Sequence, residues 1–371
     1  MTIEILDLLF SEKKGPCLSV IIPLHKLSPQ RMLNAELFRK AIQRGVSIIK
    51  RREIDPGISE HMLAKLDSFA AEFDPNVSLN GIGIFISPNV SELIQFPFSV
   101  KEKVLLDENF ETRDLYYLKQ LMAPYYVLAL GKKEVHLYTA QGDHFMEIKD
   151  GHFPMKYEEE YEYERATRGT SYGFAQKGFE KDKSAVIKMR IESFFKEAGS
   201  HLTTYLNKNH QALILAGAKD LIAEFKSQST LAKKIDGEVI GSFKKGDLFS
   251  LQKKAYESLI KHQNEEIKNK INEFTEKDTL QQLAKGIQEV WTAAHESRGL
   301  TLLVEKDYTQ TSYLCDGDPT LYLQAPKGKC TLVPDAVDEI VEIVIEKGGK
   351  VFFTEEDKLR NFDHIALLLR F

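Results

Sequence analysis

The sequence predicts a mixed α/β fold in three successive domains, and three observations predict it. Short apolar runs closed by proline or glycine alternate with longer stretches whose apolar residues recur at helical spacing. Hydrophobic residues make up 43% of the chain and charged residues 28%, the balance of an ordinary globular protein with material for a core in each domain. A length of 371 residues, at about 100–200 per domain, gives two or three domains. Shifts in the pattern divide the chain at 1–120, 121–277 and 278–371.

In the first part, Leu18-Ser19-Val20-Ile21-Ile22-Pro23-Leu24 reads as a buried strand stopped by proline. Leu33, Leu37, Ile42 and Val46 mark a helix over 31–50, and a second helix covers 58–72. Ile82-Gly83-Ile84-Phe85-Ile86 is another buried strand, ended by Ser87-Pro88-Asn89. Strand, two helices and strand make an α/β layer.

The second part opens with the strand Tyr125-Tyr126-Val127-Leu128-Ala129-Leu130, the turn Gly131-Lys132-Lys133 and a return strand through Val135, Leu137 and Tyr138, which together form a hairpin. Gln141-Gly142-Asp143 makes the next turn, and a polar stretch runs over 149–183. Ile187, Ile191, Phe194, Phe195, Ala198, Leu202 and Tyr205 then form one stripe of a helix over 184–206. Ala212 to Gly217 is a buried strand, followed by helices over 219–226 and 248–275.

In the third part, Leu280, Leu283, Ile287, Val290 and Trp291 lie on a helix, and Leu300 to Val304 form a buried strand. Pro334 is expected at the first position of a helix carrying Val337, Ile340, Val341, Val344 and Ile345. Gly348-Gly349 ends that helix, and Lys350 to Phe353 and Ile365 to Leu369 are strands. Asp335, Asp338, Glu339 and Glu342 make the outer surface of that helix acidic, which disfavours phosphate there. Lys327, Lys329, Lys347 and Lys350 are candidate local contacts, with ordinary solvated charge the simpler reading of each.

A formal net charge of −5 argues against a general DNA- or RNA-coating protein. It still allows contact with RNA through local basic patches. No apolar run reaches the roughly 20 residues that span a bilayer, and Met1-Thr2-Ile3-Glu4 does not begin a secretory signal, so no membrane association is expected. Cys17, Cys315 and Cys330 form no C-x-x-C pair, and are expected as reduced thiols of a cytoplasmic protein, although the last two are able to pair.

The enzyme motifs fail on their context. Gly241-Ser242-Phe243-Lys244-Lys245-Gly246 begins like a phosphate loop, but Asp247 stands where lysine is required. Gly81-Ile82-Gly83 lacks the third glycine of a dinucleotide fingerprint and reads as a tightly packed strand. Gly169-Thr170-Ser171-Tyr172-Gly173 matches the nucleophile elbow in letters, but no buried strand precedes it. The ten histidines form no ligand pair on a helical face, and Glu158-Glu159-Glu160 reads as a solvated run. His136 and His295 read as structural, and neither a metal nor a cofactor is expected.

Residues 157–183 stand apart. Tyr157, Tyr161 and Tyr163 among glutamates give way to a half rich in glycine and cations, with Arg165, Arg168, Gly169, Gly173, Gln176, Lys177, Gly178, Lys181 and Lys183. Few aliphatic residues are present to bury, so the tract is expected as a long exposed loop. Arginine and lysine suit phosphate, and Tyr172 and Phe174 suit stacking on bases; by composition alone, a mobile connector with ordinary solubilising charge is the alternative.

Several of these segments together resemble the bacterial members of the archaeal–eukaryotic release-factor family, which includes Pelota-like and Balon-like proteins. The middle resemblance lies in Pro124 to Leu130, Val135-His136-Leu137-Tyr138, the loop, the Phe194-Phe195 helix and Ala212 to Gly217. Gly299 to Val304, Asp335 to Ile345, Gly348-Gly349-Lys350-Val351 and Ile365 to Arg370 resemble the third domain, and Pro16 to Pro23 the bacterial group's first domain. The resemblance implies a ribonuclease-H-like middle domain, a last domain like the kink-turn-binding ribosomal proteins, and the ribosomal A site as partner. Some relatives imply a translational GTPase as a second partner. The Gly-Gly-Gln release triplet of that family is absent, and Gly173-Phe174-Ala175-Gln176 is the nearest substitute. Phe174-Ala175 disfavour backbone shapes that two glycines permit. The expectation is therefore ribosome binding in hibernation or rescue, without hydrolysis. RNA contacts would come from Arg165, Arg168, Gly169, Tyr172, Gly173, Phe174, Lys177, Gly178, Lys181 and Lys183. Catalysis of peptide release by Gln176, and a protein-interaction module away from the ribosome, are the alternatives.

Overall fold

The computed structural model describes residues 3–27, 29–142, 144–157, 175–208, 211–243, 248–278 and 280–370; the side chains of 3, 13, 14 and 175–188 lie outside that description. The fold is mixed α/β, in two compact units. One unit joins Met1–Gln120 to Asn269–Phe371, and the other is Leu121–Lys268.

The first segment contains α1 (Ile3–Ser11), β1 (Lys13–Pro23), α2 (Asn34–Arg51), α3 (Pro56–Glu72), β2 (Gly81–Ile86), β3 (Ser91–Phe96), β4 (Lys103–Asn109) and α4 (Arg113–Leu121). Its sheet has the antiparallel order β3-β2-β1-β4. The period of two along β1 and β2 sends Leu18, Val20, Ile22, Ile82, Ile84 and Ile86 to one face. There they meet Phe38, Ala41, Ile42 and Ile49 of α2 and Met62 and Leu66 of α3. Pro56 starts α3, and the Asp55 carboxylate accepts from the Gly57 and Ile58 N–H groups at 2.9 and 3.3 Å. Gly83 has a packing role: a Cβ there would lie 2.6 Å from the Phe85 ring and 2.9 Å from the Phe96 ring. Cys17 is buried in β1, and burial, followed by Glu12 and Asp107, pushes its thiol up to about 12.

The middle unit contains β5 (Tyr125–Leu130), β6 (Glu134–Gln141), β7 (His144–Glu147), β8 (Met155–Lys156), α5 (Ala175–Lys208), β9 (Ala212–Gly217), α6 (Lys219–Gln228), β10 (Gly237–Ile240) and the start of α7 (Leu248–Asp278). Strand order is β10-β9-β5-β6-β7, with β8 also on β6. β6 pairs antiparallel with both β5 and β7, while β5, β9 and β10 run parallel to one another. Leu128, Leu213 and Leu215 face Phe195, Ala198 and Leu202 of α5 and Phe225 of α6. The opposite face carries Val127, Ile214 and Ala216 against Leu251, Ala255 and Leu259 of α7. With both faces covered, β5 and β9 read as continuous apolar runs.

The last segment contains β11 (Leu283–Lys285), α8 (Gly286–His295), β12 (Gly299–Glu305), β13 (Ser312–Cys315), β14 (Asp318–Tyr322), β15 (Cys330–Val333), α9 (Ala336–Glu346), β16 (Lys350–Thr354) and β17 (Ile365–Leu369). In the sheet β11-β17-β12-β16, Leu302, Val304, Ile365 and Leu367 face α8 and α9. Leu303, Ala366 and Leu368 face Phe274, at the end of α7, with Leu359 and Phe362. A small sheet, β14-β13-β15, stands beside it.

Several local expectations change. Residues 283–285 are strand, paired with β17, and Gln281 and Gly286 adopt positive φ (56° and 68°), which interrupts the helix expected from Leu280 onward. Pro334 lies before α9 rather than inside it: Asp335 is the cap, its carboxylate accepting from the Val337 N–H at 3.1 Å. Cys315 and Cys330 face one another across β13 and β15 and are joined as a disulfide, with Cα atoms 4.0 Å apart. The register supplies the proximity that their sequence spacing concealed. Lys347 is not simply solvated: its ammonium donates to the Ala294 and His295 carbonyls at 3.1 and 2.6 Å, capping α8.

The first and last segments of their shared unit are tied by polar groups. The Gln120 side chain accepts from the Phe353 N–H at 2.9 Å and donates to its carbonyl at 3.3 Å, continuing the ladder beyond the edge strand β16. Arg113 is buried, with its guanidinium 2.8 Å from the Asp335 carboxylate and also donating to the Tyr308 carbonyl. Asp338 accepts from the Arg113 N–H at 2.9 Å, and Glu342 accepts from the Thr112 hydroxyl at 3.0 Å.

Candidate functional site

The candidate tract is bracketed by two well-fixed elements. On its N-terminal side, β8 pairs with β6 through Met155 and Lys156. The Tyr157 N–H donates to the Lys133 carbonyl at 2.7 Å, and its ring meets Phe194 edge-on at 6.0 Å. The preceding turn is closed by Asp150, whose carboxylate accepts from the His152 and Phe153 N–H groups at 2.8 and 2.9 Å and from the Tyr205 hydroxyl. The Tyr205 hydrogen bond, then the two N–H groups, bring the Asp150 carboxyl down to about 2.

On the C-terminal side stands α5. Its sequence packs one stripe on the sheet, through Ile191, Phe194, Phe195, Ala198, Leu202 and Tyr205. Ala175 precedes Ile191 by about 24 Å of helix at 1.5 Å per residue. The helix thus begins earlier than the 184 expected. Ala175, Gln176, Lys177, Glu180, Lys181 and Lys183 are all good helix formers, and one internal glycine, Gly178, costs only about 1 kcal/mol.

Arg165, Arg168, Gly169, Tyr172, Gly173 and Phe174 lie outside the described residues, as do Ser171 and the Glu158-Glu159-Glu160 run. Gln176, Lys177, Gly178, Lys181 and Lys183 are on α5, so the loop expected through 183 gives way to helix from Ala175; their side chains lie outside the description. Ala175 and Gln176 therefore have helical backbone, unlike the freely turning backbone that a pair of glycines permits.

His136 is held between two carboxylates of its own sheet, with Nδ1 2.5 Å from Glu147 and Nε2 3.3 Å from Glu134. His295 is bonded to the Trp291 carbonyl at 2.9 Å, with its ring 4.2 Å from that indole and tilted by 36°. Among the described residues, no cluster of three or more His, Cys, Asp or Glu is placed to hold a metal, and no helix is long and apolar enough to cross a membrane.

The basic side of α2 is masked in the sequence by the apolar stripe that marks the helix. Arg39, Lys40, Arg44, Lys50, Arg51 and Arg52 follow one another with no carboxylate between them. All are exposed; Lys40, Arg44 and Arg51 lie on the helix face opposite Phe38, Ala41, Ile42 and Ile49, and Arg52 follows as the cap of α2.

Residues 124–298, from the start of β5 to just beyond α8, match the model of bacterial archaeo-eukaryotic release factor family 3. That stretch of the chain is similar to this family of release-factor-like proteins. Solved structures similar to the chain share little sequence with it. Pelota from Archaeoglobus fulgidus is 14% identical, with 99% of this chain and 92% of that one covered and a TM-score of 0.36. A ribosome-bound archaeal Pelota is 11% identical, covering 100% and 94%, with a TM-score of 0.44. Dom34 from S. cerevisiae, described as a translation termination-like factor, is 13% identical, covering 82% and 77%, with a TM-score of 0.42. No curated protein matches the chain.

Proposed function

We propose that this release-factor-like chain works in the cytoplasm and binds the A site of idle or stalled ribosomes, in hibernation or rescue, without hydrolysing peptidyl-tRNA. One observation carries the reading. Within the segment of release-factor type, the cation-rich tract that follows a braced strand and leads into a packed helix has no Gly-Gly-Gln. Arg165, Arg168, Lys177, Lys181 and Lys183 are the cations for ribosomal RNA phosphates, and Tyr172 and Phe174 the rings for unstacked bases. Gly169, Gly173 and Gly178 allow close backbone approach. A helical backbone at Gln176 disfavours its use as the release glutamine, because orienting a water needs placement to a fraction of an ångström. A translational GTPase is the second partner of this reading.

The test is co-sedimentation with purified ribosomes from growing and starved cells. Binding should weaken between about 50 and 200 mM salt. It should also weaken when Arg165, Arg168, Lys177 and Lys181 are replaced by glutamate, and no peptide should be released from loaded ribosomes. Absence of salt-sensitive association in both preparations refutes the reading. Peptide release that disappears in Gln176→Ala transfers the function to a hydrolase. Association unaffected by the charge reversals moves the contact away from the tract.

A further inference from the structure

The basic outer face of α2 borders a groove of about 460 Å³, lined by Lys40, Gln43, Arg44, Ser47 and Arg51, with Ile48 and Val104 also lining it. We infer that this groove is a second RNA-binding site, which holds the sugar–phosphate backbone of a single strand along α2. The inference rests on the ribosomal reading only for the identity of the RNA met in the cell.

At 100° per residue, Lys40, Arg44, Ser47 and Arg51 fall within about 60° of one another around the helix. From Lys40 to Arg51 the helix rises about 16 Å, long enough to follow a strand past more than one phosphate. No carboxylate lines the groove, although the chain as a whole carries −5. The positive charge is therefore concentrated locally rather than spread over the chain. Arg44 and Arg51 offer planar donor forks that match a phosphate, and Lys40 offers a mobile point charge. Gln43 and Ser47 add neutral donors between them.

The wall is preformed. Gly45 lets α2 approach β1 and α3, since a Cβ there would stand 3.2 Å from Leu66 and 3.5 Å from Val20. At the end of α2, the Arg52 guanidinium donates to the Leu106 carbonyl of β4 at 3.1 Å, fixing the helix against the edge strand. Two of the cations already have acidic neighbours outside the groove. Lys40 lies 2.6 Å from Glu36, with both side chains more than half exposed, and Arg44 pairs with Glu102. Exposed pairs of this kind are weak and screened, so a phosphate can replace either carboxylate.

The test uses the full chain, fluorescence anisotropy and fluorescein-labelled dodeca-uridylate. Because the 165–183 tract is proposed to bind RNA as well, Arg165, Arg168, Lys177 and Lys181 are first replaced by glutamate, which leaves the α2 groove as the remaining contact. In that background, three phosphate contacts give a slope of about −2 for log affinity against log salt, or a loss of roughly 16-fold between 50 and 200 mM. Adding Lys40→Gln, Arg44→Gln and Arg51→Gln should bring the slope close to zero, with Trp291 fluorescence unchanged to show that the unit is folded. The inference is overturned if the background protein does not bind at low salt, or if the triple change alters affinity less than about 2-fold. Equal competition by polyglutamate overturns it in favour of an acidic protein partner. Loss of RNA binding in the triple variant supports the groove even if ribosome co-sedimentation fails, and co-sedimentation can succeed with the groove inert, so the two readings fail separately.

Discussion

Replacing Arg113 by methionine should destabilise the unit formed by the first and last segments by about 3–5 kcal/mol near neutral pH, the cost of removing one partner from a buried ion pair. Arg113 is 2% exposed. Its guanidinium is 2.8 Å from Asp335 and 3.9 Å from Glu111, and it also donates to the Tyr308 carbonyl. Methionine keeps most of the aliphatic volume, so the loss isolates the charge. Lys103, which pairs with Glu111 and lies 3.8 Å from Asp335, would be the remaining cation of this cluster. Desolvation first, and then Glu111, raise the Asp338 carboxyl, while Lys103 and Arg113 oppose the rise. Desolvation likewise raises Asp114. A carboxyl raised on folding gives stability at low pH that is lost as pH climbs from its unfolded value through its folded value. Removing Arg113 raises these groups further, so the penalty should be largest near neutrality and shrink toward about pH 5. Trp291 is the single tryptophan and is buried in this unit, so urea unfolding followed by its fluorescence reads the change. A cycle with Asp335→Asn should show a coupling above about 1 kcal/mol. A loss under about 1 kcal/mol at unchanged slope, or strict additivity with Asp335→Asn, would refute the assignment of this cluster as an internal tie.

Tyr205→Phe should raise the Asp150 carboxyl from about 2 toward its ordinary value, but not fully, because the two backbone N–H groups remain; carboxyl-carbon NMR titration measures it. Since that folded value is depressed, the stability it confers is present above the ordinary carboxylate range and is lost as pH falls toward 2. The variant should therefore show a weaker acid-dependent loss at the turn before the tract, and an unmoved carboxyl titration would exclude the hydrogen bond. Phe195→Ala should cost the middle unit about 3–5 kcal/mol, because a fully buried ring 5.9 Å from Phe225 is removed. Hydrogen exchange of the β5 and β9 amides checks it, and protection unchanged in both strands would contradict the packing.

Burial on both faces made some strands legible without a partner in view. Tyr125–Leu130, Ala212–Gly217 and Ile365–Leu369 read as continuous apolar runs because helices cover both sides of their sheets. Strands at or near an edge were harder. Ser91–Phe96 is only half buried over its first three residues, and the sheet of Ser312–Cys315, Asp318–Tyr322 and Cys330–Val333 carries few buried apolar residues, so no strong period announces either. The ends of the candidate tract were legible as hairpin and helix, whereas the start of α5 at Ala175 was hidden by polar helix formers that leave no apolar stripe.

The acidic helix α9 shows what a one-dimensional pattern withholds. Asp335, Asp338, Glu339 and Glu342 read as a single acidic outer surface, and their spacing is compatible with that. In the fold, three of them turn to the first segment instead. Asp335 caps α9 and meets Arg113, Asp338 receives the Arg113 N–H, and Glu342 receives the Thr112 hydroxyl and lies 3.4 Å from the Asn109 amide. The partners come from more than 200 positions earlier in the chain, and no local hydropathy rule places a buried arginine there. A periodic pattern reports which residues share a face; it identifies what that face meets only when the partner is water or hydrocarbon. Where the partner is a specific distant charge, the same carboxylates that look solvated are the ones that hold the two ends of the chain in one compact unit.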